Sequence, residues 1–426
     1  MNKLKQNRSW IILSYCSNIE GDSCSQHLDD RLPYLSRNGI HPLLISGILG
    51  PKLEDITHFQ TLSLFPSGIR CELRHFLRRK ALRKWLYNTI QFCVLLPLMP
   101  FYLLEKIALN LDEGASWFIC AAVKGIYLSK KYRPEAIYST GGTASAHLAG
   151  YLASRYASVP WVAEFQDPLV HYDWLGSKRE YLYASWLEKL VCKNASAVIF
   201  VTESAKENSR KRTELGDKGH TIYPGSGQEI FPKVTYRKKS TFHFAHFGSL
   251  AGSRNLELFS RALYLLIERE PRFRDILRVD LYGNCDGRTH HLVKHFEYRD
   301  VIVLHGKVPR KKSLSLMAES DCLLLIQNTQ AFSSETIPSK VYEYFFTSRP
   351  VLGLVHKNPE LERMLLTQGH WVARADDIED ILKSMNSIIT EFHIDKKEKN
   401  FPEPPWTIEK AVDRLITIIE ELHFEK

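Results

Sequence analysis

Apolar runs of strand length recur along this chain, each closed by a glycine or polar turn and followed by a longer stretch of helical periodicity. No other feature restricts the fold as much, because strands joined through helical crossovers lie parallel and a parallel sheet needs helices on both faces. The strand-like runs of the first half are Trp10–Tyr15, Ile40–Ser46, Ala136–Thr140, Trp161–Phe165 and Ala197–Thr202. Those of the second half are Phe242–Phe247, Arg278–Tyr282, Val301–Leu304, Cys322–Ile326, Val351–Val355 and Trp371–Ala373. Helices such as Ser25–Arg37 and Ala144–Tyr156 lie between them. A chain of 426 residues exceeds one core, since domains settle at about 100 to 200 residues. The periodicity breaks at Tyr223-Pro-Gly-Ser-Gly-Gln-Glu-Ile-Phe-Pro232, a run of turn residues. The expected organisation is α/β, with one doubly wound domain over 1–228, a linker over 229–240, a second domain over 241–404, and a final amphipathic helix within 405–426 that could cap either.

Hydrophobic residues at 44% and charged residues at 25% supply ample core, so long disordered spans are not expected. A formal charge of +9 either serves solubility alone or attracts a polyanionic partner such as nucleic acid, anionic lipid or a phosphorylated ligand. The location of the charge narrows this. Arg70, Arg74, Arg78, Arg79, Lys80, Arg83 and Lys84 face a single acid, Glu72, and the run Trp85 to Leu104 then carries no charge. That run has the length of a membrane span, but Pro97 and Pro100 break it, and the strands on either side are expected in one sheet, which cannot be built from opposite sides of a bilayer. The segment 70–104 therefore reads as a membrane-associating insertion, with Arg78, Arg79, Lys80, Arg83 and Lys84 near anionic headgroups. The alternative is a helical hairpin buried against the first domain. No aromatic and basic recognition module for nucleic acid is present. Eight cysteines form no C-x-x-C pair and no zinc-like cluster, which fits a reduced, cytoplasmic compartment. The apolar stretch Trp10 to Leu13 behind the basic start Met1 to Arg8 is too short for a signal peptide.

The most informative segment is Ser333-Ser-Glu-Thr-Ile-Pro-Ser-Lys-Val-Tyr-Glu-Tyr-Phe345. Pro338 is expected in the first turn of a helix, with Ser339 and Lys340 beside it, where backbone N–H groups and a lysine bind phosphate. Glu343 lies four residues after Ser339, on the same face, and would meet ribose hydroxyls next to a diphosphate. Glu335, in the preceding loop, would reach the sugar, since carboxylates accept strong hydrogen bonds from hydroxyls. An ordinary capped helix with solvated glutamates would show the same spacing.

The seven residues between Glu335 and Glu343 make this segment resemble the E-x7-E motif of retaining GT-B glycosyltransferases of family 4. Pro338-Ser-Lys-Val-Tyr-Glu-Tyr-Phe345 and Arg349-Pro-Val-Leu352 are similar to the version in bacterial surface-polysaccharide transferases (O-antigen, capsule, exopolysaccharide). Phe247-Gly-Ser-Leu250 with Arg254-Asn255 resembles the family's glycine loop, and Leu111-Asp-Glu-Gly-Ala-Ser-Trp117, Tyr138-Ser-Thr-Gly-Gly142 and Trp161-Val-Ala-Glu-Phe-Gln-Asp-Pro168 resemble its acceptor-domain landmarks. The resemblance implies two Rossmann-like domains facing a cleft, with Glu343 on the donor ribose and Glu335 on the donor sugar. It implies Gly248 against the donor and a front-face displacement aided by the leaving diphosphate. Ser249 stands where relatives carry arginine after the glycine, so diphosphate charge falls to Arg254 and Lys340; Gln166 and Leu169 also depart from the family pattern.

Three further positions complete the expected site. Gly21, in the loop after the first strand, lets donor phosphate or sugar approach the backbone. Asp167 ends a strand, where open parallel sheets bind ligands, and is expected to face the cleft from the first domain and orient the acceptor or donor sugar, so that Asp167 and Glu335 are the catalytic candidates. Gly141-Gly142 is either another ligand loop or a plain turn, and the role of Glu164 is open. No Asp-x-Asp pair occupies a loop, so no metal and no bound cofactor is expected, only a nucleotide-sugar co-substrate of unspecified base. The expected activity is transfer of a sugar to a glycan acceptor, lipid-linked, at the inner face of the plasma membrane. A sugar-nucleotide epimerase or hydrolase of the same fold, or a non-catalytic basic protein that binds membrane or nucleic acid, would share parts of this pattern.

Overall fold

The computed structural model describes residues 8–80, 82–108, 113–171, 176–234, 236–395 and 399–424. The basic start before Arg8, and Leu111 and Asp112 of the first landmark, lie outside these residues. The chain forms two compact units, Met1–Tyr223 with Ile408–Lys426, and Pro224–Thr407.

The first unit contains β1 (Arg8–Leu13), β2 (Ile40–Ser46), β3 (Thr57–Gln60), β4 (Ala136–Ser139), β5 (Trp161–Phe165), β6 (Ala197–Phe200) and β7 (Gly219–Thr221). Helix α1 (Ser23–Arg37) follows β1, while α2 (Pro66–Arg79), α3 (Lys84–Leu95), α4 (Met99–Ala108) and α5 (Trp117–Tyr132) fill the crossover from β3 to β4. Then α6 (Ala144–Ala157), α7 (Lys178–Asn194) and α8 (Glu203–Arg212) make one crossing each. The sheet order is β3-β2-β1-β4-β5-β6-β7, with every pairing parallel. Alternation along β1 feeds two cores. Ile11 and Leu13 pack towards α5 and α6, and Trp10 and Ile12 towards α1.

The second unit runs β8 (Phe242–Phe247), α9 (Glu257–Arg269), α10 (Phe273–Ile276), β9 (Leu277–Tyr282), α11 (Gly287–Lys294), β10 (Ile302–Gly306) and α12 (Arg310–Glu319). It continues through β11 (Cys322–Ile326), α13 (Lys340–Phe345), β12 (Val351–Val355), α14 (Pro359–Thr367), β13 (Trp371–Arg374) and α15 (Ile378–Ile389). Its parallel sheet has the order β10-β9-β8-β11-β12-β13. The expected fold class, α/β with two doubly wound Rossmann-like domains, is the one observed.

The last helix, α16 (Ile408–Phe424), belongs to the first unit. Its residues Ile408, Ala411, Val412, Leu415, Ile418 and Ile419 form one helical stripe in the core that contains Trp10 and Leu28. The chain changes units at Tyr223–Pro224, and the returning strand of chain runs beside the departing one, with Ser226 N donating to Trp406 O at 3.2 Å. Gly225 permits this crossing, because a Cβ there would lie 2.5 Å from the carbonyl carbon of Thr407.

Candidate functional site

In the second unit the strand order reverses between β8 and β11, so the crevice outside their carboxyl ends is where a ligand belongs. The chain leaves β8 through Gly248, whose φ of +148° suits glycine alone. Gly248 N donates to Tyr282 O at 2.9 Å. A side chain on Gly283 is impossible without movement, since its Cβ would sit 2.0 Å from Gly248 O. The glycine loop is thus pressed onto the turn that follows β9. Beneath it the buried His246 donates from Nδ1 to Leu324 O at 2.9 Å, and its Nε2 makes no hydrogen bond among the described residues. Burial pushes the His246 pKa down to about 4, and the nearby Arg254 guanidinium adds to the fall. Gly248 and Arg254 therefore meet around a neutral imidazole.

Helix α13 is shorter and begins later than its sequence suggests. Pro338 lies outside it, Ser339 is the N-cap residue without a capping side-chain bond, and Lys340 is the first helical residue. This corrects the expectation that Ser339 occupies the first turn. Glu343, 3% exposed, takes Lys340 Nζ at 2.6 Å and Arg310 Nη2 at 3.3 Å. Arg310 opens α12 and was not singled out from the sequence; its only signal there is a cation directly after Pro309 at a helix start. Next to Glu343, the buried Tyr344 hydroxyl accepts Phe247 N at 3.0 Å. One residue before the glycine loop, α13 is thus fastened to β8.

Glu335, 1% exposed, ends the 3-10 turn Ala331–Glu335. Two buried amides hold this turn. Gln327 Nε2 donates to Ser333 O at 2.6 Å and Thr336 O at 3.2 Å, and Asn358 Nδ2 donates to the same carbonyls at 2.8 and 2.9 Å. Gln327 Oε1 accepts His356 N at 3.0 Å, and Ser333 Oγ donates to His356 O at 2.8 Å. Gln327 directly follows β11, so the Glu335 turn is anchored at the sheet reversal. Sequence reasoning missed this frame, because neither amide stands at a motif spacing.

The first unit has its own reversal, between β1 and β4. Gly21 adopts φ +74° in the loop before α1, and Asp22 caps that helix by accepting Ser25 N at 2.8 Å. Asp167 is exposed just past β5. Burial, then Asp22, then Asp167 push the Cys24 thiol up to about 11, so Asp22, Cys24 and Asp167 gather at one end of the sheet. Gln166 Nε2 donates to Thr140 Oγ1 at 3.1 Å and Cys24 O at 3.3 Å. Behind it lies Glu164, fully buried with Arg31 Nη1 at 2.7 Å, Thr140 Oγ1 at 2.7 Å and the Tyr138 hydroxyl. Burial alone would raise the Glu164 pKa, but Arg31 and these hydrogen bonds hold it below the usual range. Gly142 serves close packing, since a Cβ there would lie 2.8 Å from Cys24 Sγ. His147 is a core residue bonded to Ser139 at 3.0 Å, with its pKa pushed by burial to about 4. Asp29 is likewise structural, tying Ser17, Asn18 and Ser25 together.

The insertion is helical; its α2 part buries Cys71, Glu72 and Leu77, whereas α3 and α4 stay largely exposed. Helix α3 buries no residue, and α4 buries only Glu105. Phe92, Leu96, Phe101, Leu104 and Ile107 are exposed, Ile107 by 74%. Arg78, Arg79, Lys80, Arg83 and Lys84 are exposed beside them. No single helix among the described residues is long and apolar enough to cross a membrane; α3 and α4 meet that test only together, bent by 70°.

The family described as Glycosyl transferase 4-like domain matches residues 108–225. No curated protein matches the chain by sequence. Among solved structures, HepE of Anabaena in complex with UDP is similar at 14% identity and TM-score 0.61, covering 98% of this chain and 99% of its own. Sucrose-phosphate synthase of Thermosynechococcus elongatus is similar at 11% identity and TM-score 0.62, over 98% and 97%. A Listeria monocytogenes protein assigned as a UDP-N-acetylglucosamine 2-epimerase is similar at 11% identity and TM-score 0.57, over 99% and 97%. The chain accordingly has the two-unit GT-B fold of these proteins, and its residues 108–225 match the glycosyl transferase 4-like domain.

Proposed function

We propose that this protein is a retaining glycosyltransferase that moves a sugar from a nucleotide-sugar onto a lipid-linked glycan in cell-surface polysaccharide synthesis, at the inner face of the plasma membrane. The observation that carries the reading is the buried Glu343 between Lys340 and Arg310, on a helix fastened through Tyr344 to the glycine loop. A carboxylate accepts from ribose hydroxyls, the two cations meet a diphosphate, and glycine lets that diphosphate reach backbone N–H groups. Glu335 is assigned to the donor sugar, Gly248, Arg254, Ser339 and Lys340 to the diphosphate side, and Gly21 to donor approach. Asp167 is assigned to orienting the acceptor or donor sugar. HepE has been crystallised with UDP and with UDP-glucose, which supports a uridine nucleotide as the first donor to try.

In the proposed step the bond between the anomeric carbon and the diphosphate oxygen breaks while the acceptor oxygen bonds that carbon on the same face. The acceptor proton passes to the departing diphosphate. Catalysis is then positioning and charge stabilisation, without a metal. Thermal-shift screening with UDP-, GDP- and other nucleotide-sugars tests the reading, because a ligand of the folded state raises the melting temperature. No shift with any of them overturns it. The similarity to the Listeria protein favours a second reading, epimerisation or hydrolysis of the nucleotide-sugar. Turnover of the donor with no acceptor present would select that reading.

A further inference from the structure

Helices α2, α3 and α4 enclose a groove of about 360 Å³. Its walls are apolar at Phe92, Leu95 and Met99, and Arg70, Asn88 and Gln91 add polar groups to the lining. The shape is fixed by two features. Pro97, which lacks an N–H, lies at the break between α3 and α4, where the chain bends by 70°. The buried Glu105 of α4 then accepts Ser67 N at 2.9 Å and the Ser67 hydroxyl, capping the start of α2. Across the groove Arg70 Nη1 donates to the Tyr102 hydroxyl at 3.0 Å. This uses one of five guanidinium donors, and the group, 5.5 Å from the centroid of the Tyr102 ring, is exposed in the groove lining.

We propose that this groove holds one hydrocarbon chain of a phosphate-bearing lipid, with the phosphate on Arg70, and that it is the seat of the acceptor's lipid anchor. The inference deepens the membrane-docked transferase reading and rests on it. Three observations select this occupant. The volume lies within the roughly 300–1,000 Å³ of small-molecule pockets, which suits one chain rather than a protein segment. The groove is mostly apolar and carries one exposed cation, Arg70, in its lining, so it complements an amphiphile with an anionic head. The surrounding exposed face combines apolar side chains with Arg78, Arg79, Lys80 and Lys84, which matches an anionic bilayer from which such a lipid would be drawn. Neither free phosphate nor a neutral alcohol supplies both halves of this chemistry.

The test uses the full chain and farnesyl phosphate as probe, with farnesol and inorganic phosphate as competitors, followed by calorimetric titration. Saturable binding of one probe per chain is expected, undisturbed by inorganic phosphate. Farnesol should bind roughly tenfold or more weakly, the loss of one charged hydrogen bond. Leu95→Trp, which fills the groove, should abolish binding, and Arg70→Gln should reduce the probe to the farnesol level. Co-sedimentation with anionic vesicles, measured on the same samples, reports the docking reading separately and should survive Leu95→Trp. Probe binding by Leu95→Trp equal to that of the wild type overturns the proposal while leaving docking intact. So does a wild-type dimer that dissociates in this variant without any probe binding, since the groove is then an interface between copies. Vesicles ignored by the wild type overturn the docking reading instead.

Discussion

Glu343 carries two cations already, and this decides how its loss should read. Replacing it with alanine removes an acceptor for ribose hydroxyls, each charged hydrogen bond being worth roughly 1.5–3 kcal/mol, so nucleotide-sugar affinity should fall by about one to two orders of magnitude. Lys340 and Arg310 lose their ion pair with Glu343 at the same time. Inorganic diphosphate should therefore bind Glu343→Ala as well as the wild type or better. Calorimetry with both ligands checks the pair of outcomes, and unchanged nucleotide-sugar binding removes Glu343 from the site. In the first unit, Arg31 and Glu164 are each about 1% exposed and held 2.7 Å apart. Arg31→Met strands a buried carboxylate and should cost about 3–5 kcal/mol in urea denaturation, most of it recovered in the double variant Arg31→Met with Glu164→Gln. A single variant as stable as the wild type would show that water or another group reaches Glu164. The sequence left the role of Glu164 open for a physical reason. Alternation along a strand tells which face a residue takes, but the arginine that meets it is 133 positions away.

At the scale of elements, the turn that carries Glu335 depends on Gln327 and Asn358, each donating to the same two carbonyls. Asn358 also caps α14 by accepting Leu361 N at 3.0 Å. Asn358→Ala should cost about 1–2 kcal/mol of stability and loosen the turn. Because Glu343 and the glycine loop are fastened elsewhere, affinity for the nucleoside diphosphate should hold while affinity for the nucleotide-sugar and the transfer rate fall. Loss of nucleoside diphosphate affinity as well would mean that the frame supports the whole site. The insertion gives a second element-scale expectation. Changing Arg78, Arg79, Lys80, Arg83 and Lys84 to glutamine should abolish salt-sensitive co-sedimentation with anionic vesicles, each basic group near such a surface contributing on the order of 1 kcal/mol. Binding that persists would mean that the exposed apolar side chains of α3 and α4 act alone. The elements were legible to the extent that their patterns were strong. Central strands buried on both faces read as continuous apolar runs, whereas the edge strands Thr57–Gln60 and Gly219–Thr221 are short and polar and escaped notice. The motif around Glu335 was visible as spacing. Its frame was not, because Gln327 and Asn358 join only after β11 and β12 are laid side by side.

Across the whole molecule, both units have been built around neutral histidines, and this makes acid stability predictable. His58 and His147 lie in the first unit, His246 and His370 in the second, and all four are buried. Burial lowers each from 6.5, to about 4 for His58, His147 and His246 and to about 3 for His370. The chemical cause is plainest at His58, whose Nδ1 accepts Leu53 N at 2.9 Å, a bond that protonation there would break. A histidine with a depressed folded pKa takes up its proton more readily in the unfolded chain. Its contribution is therefore complete above about pH 6.5 and drains away as the pH falls towards 4. For the fully buried His147 and His246 the loss is on the order of 3 kcal/mol each, against a typical total of about 5–15 kcal/mol. Both units should thus melt at steadily lower temperature from pH 6.5 downwards and unfold before all four groups titrate. His58→Asn keeps an acceptor for Leu53 and removes one titration, so its melting temperature should fall less steeply between pH 6.5 and 4.5 than that of the wild type. Calorimetric scans across that range check the slope; parallel slopes for variant and wild type would mean that the carboxylates, Glu164 foremost, set the acid limit instead.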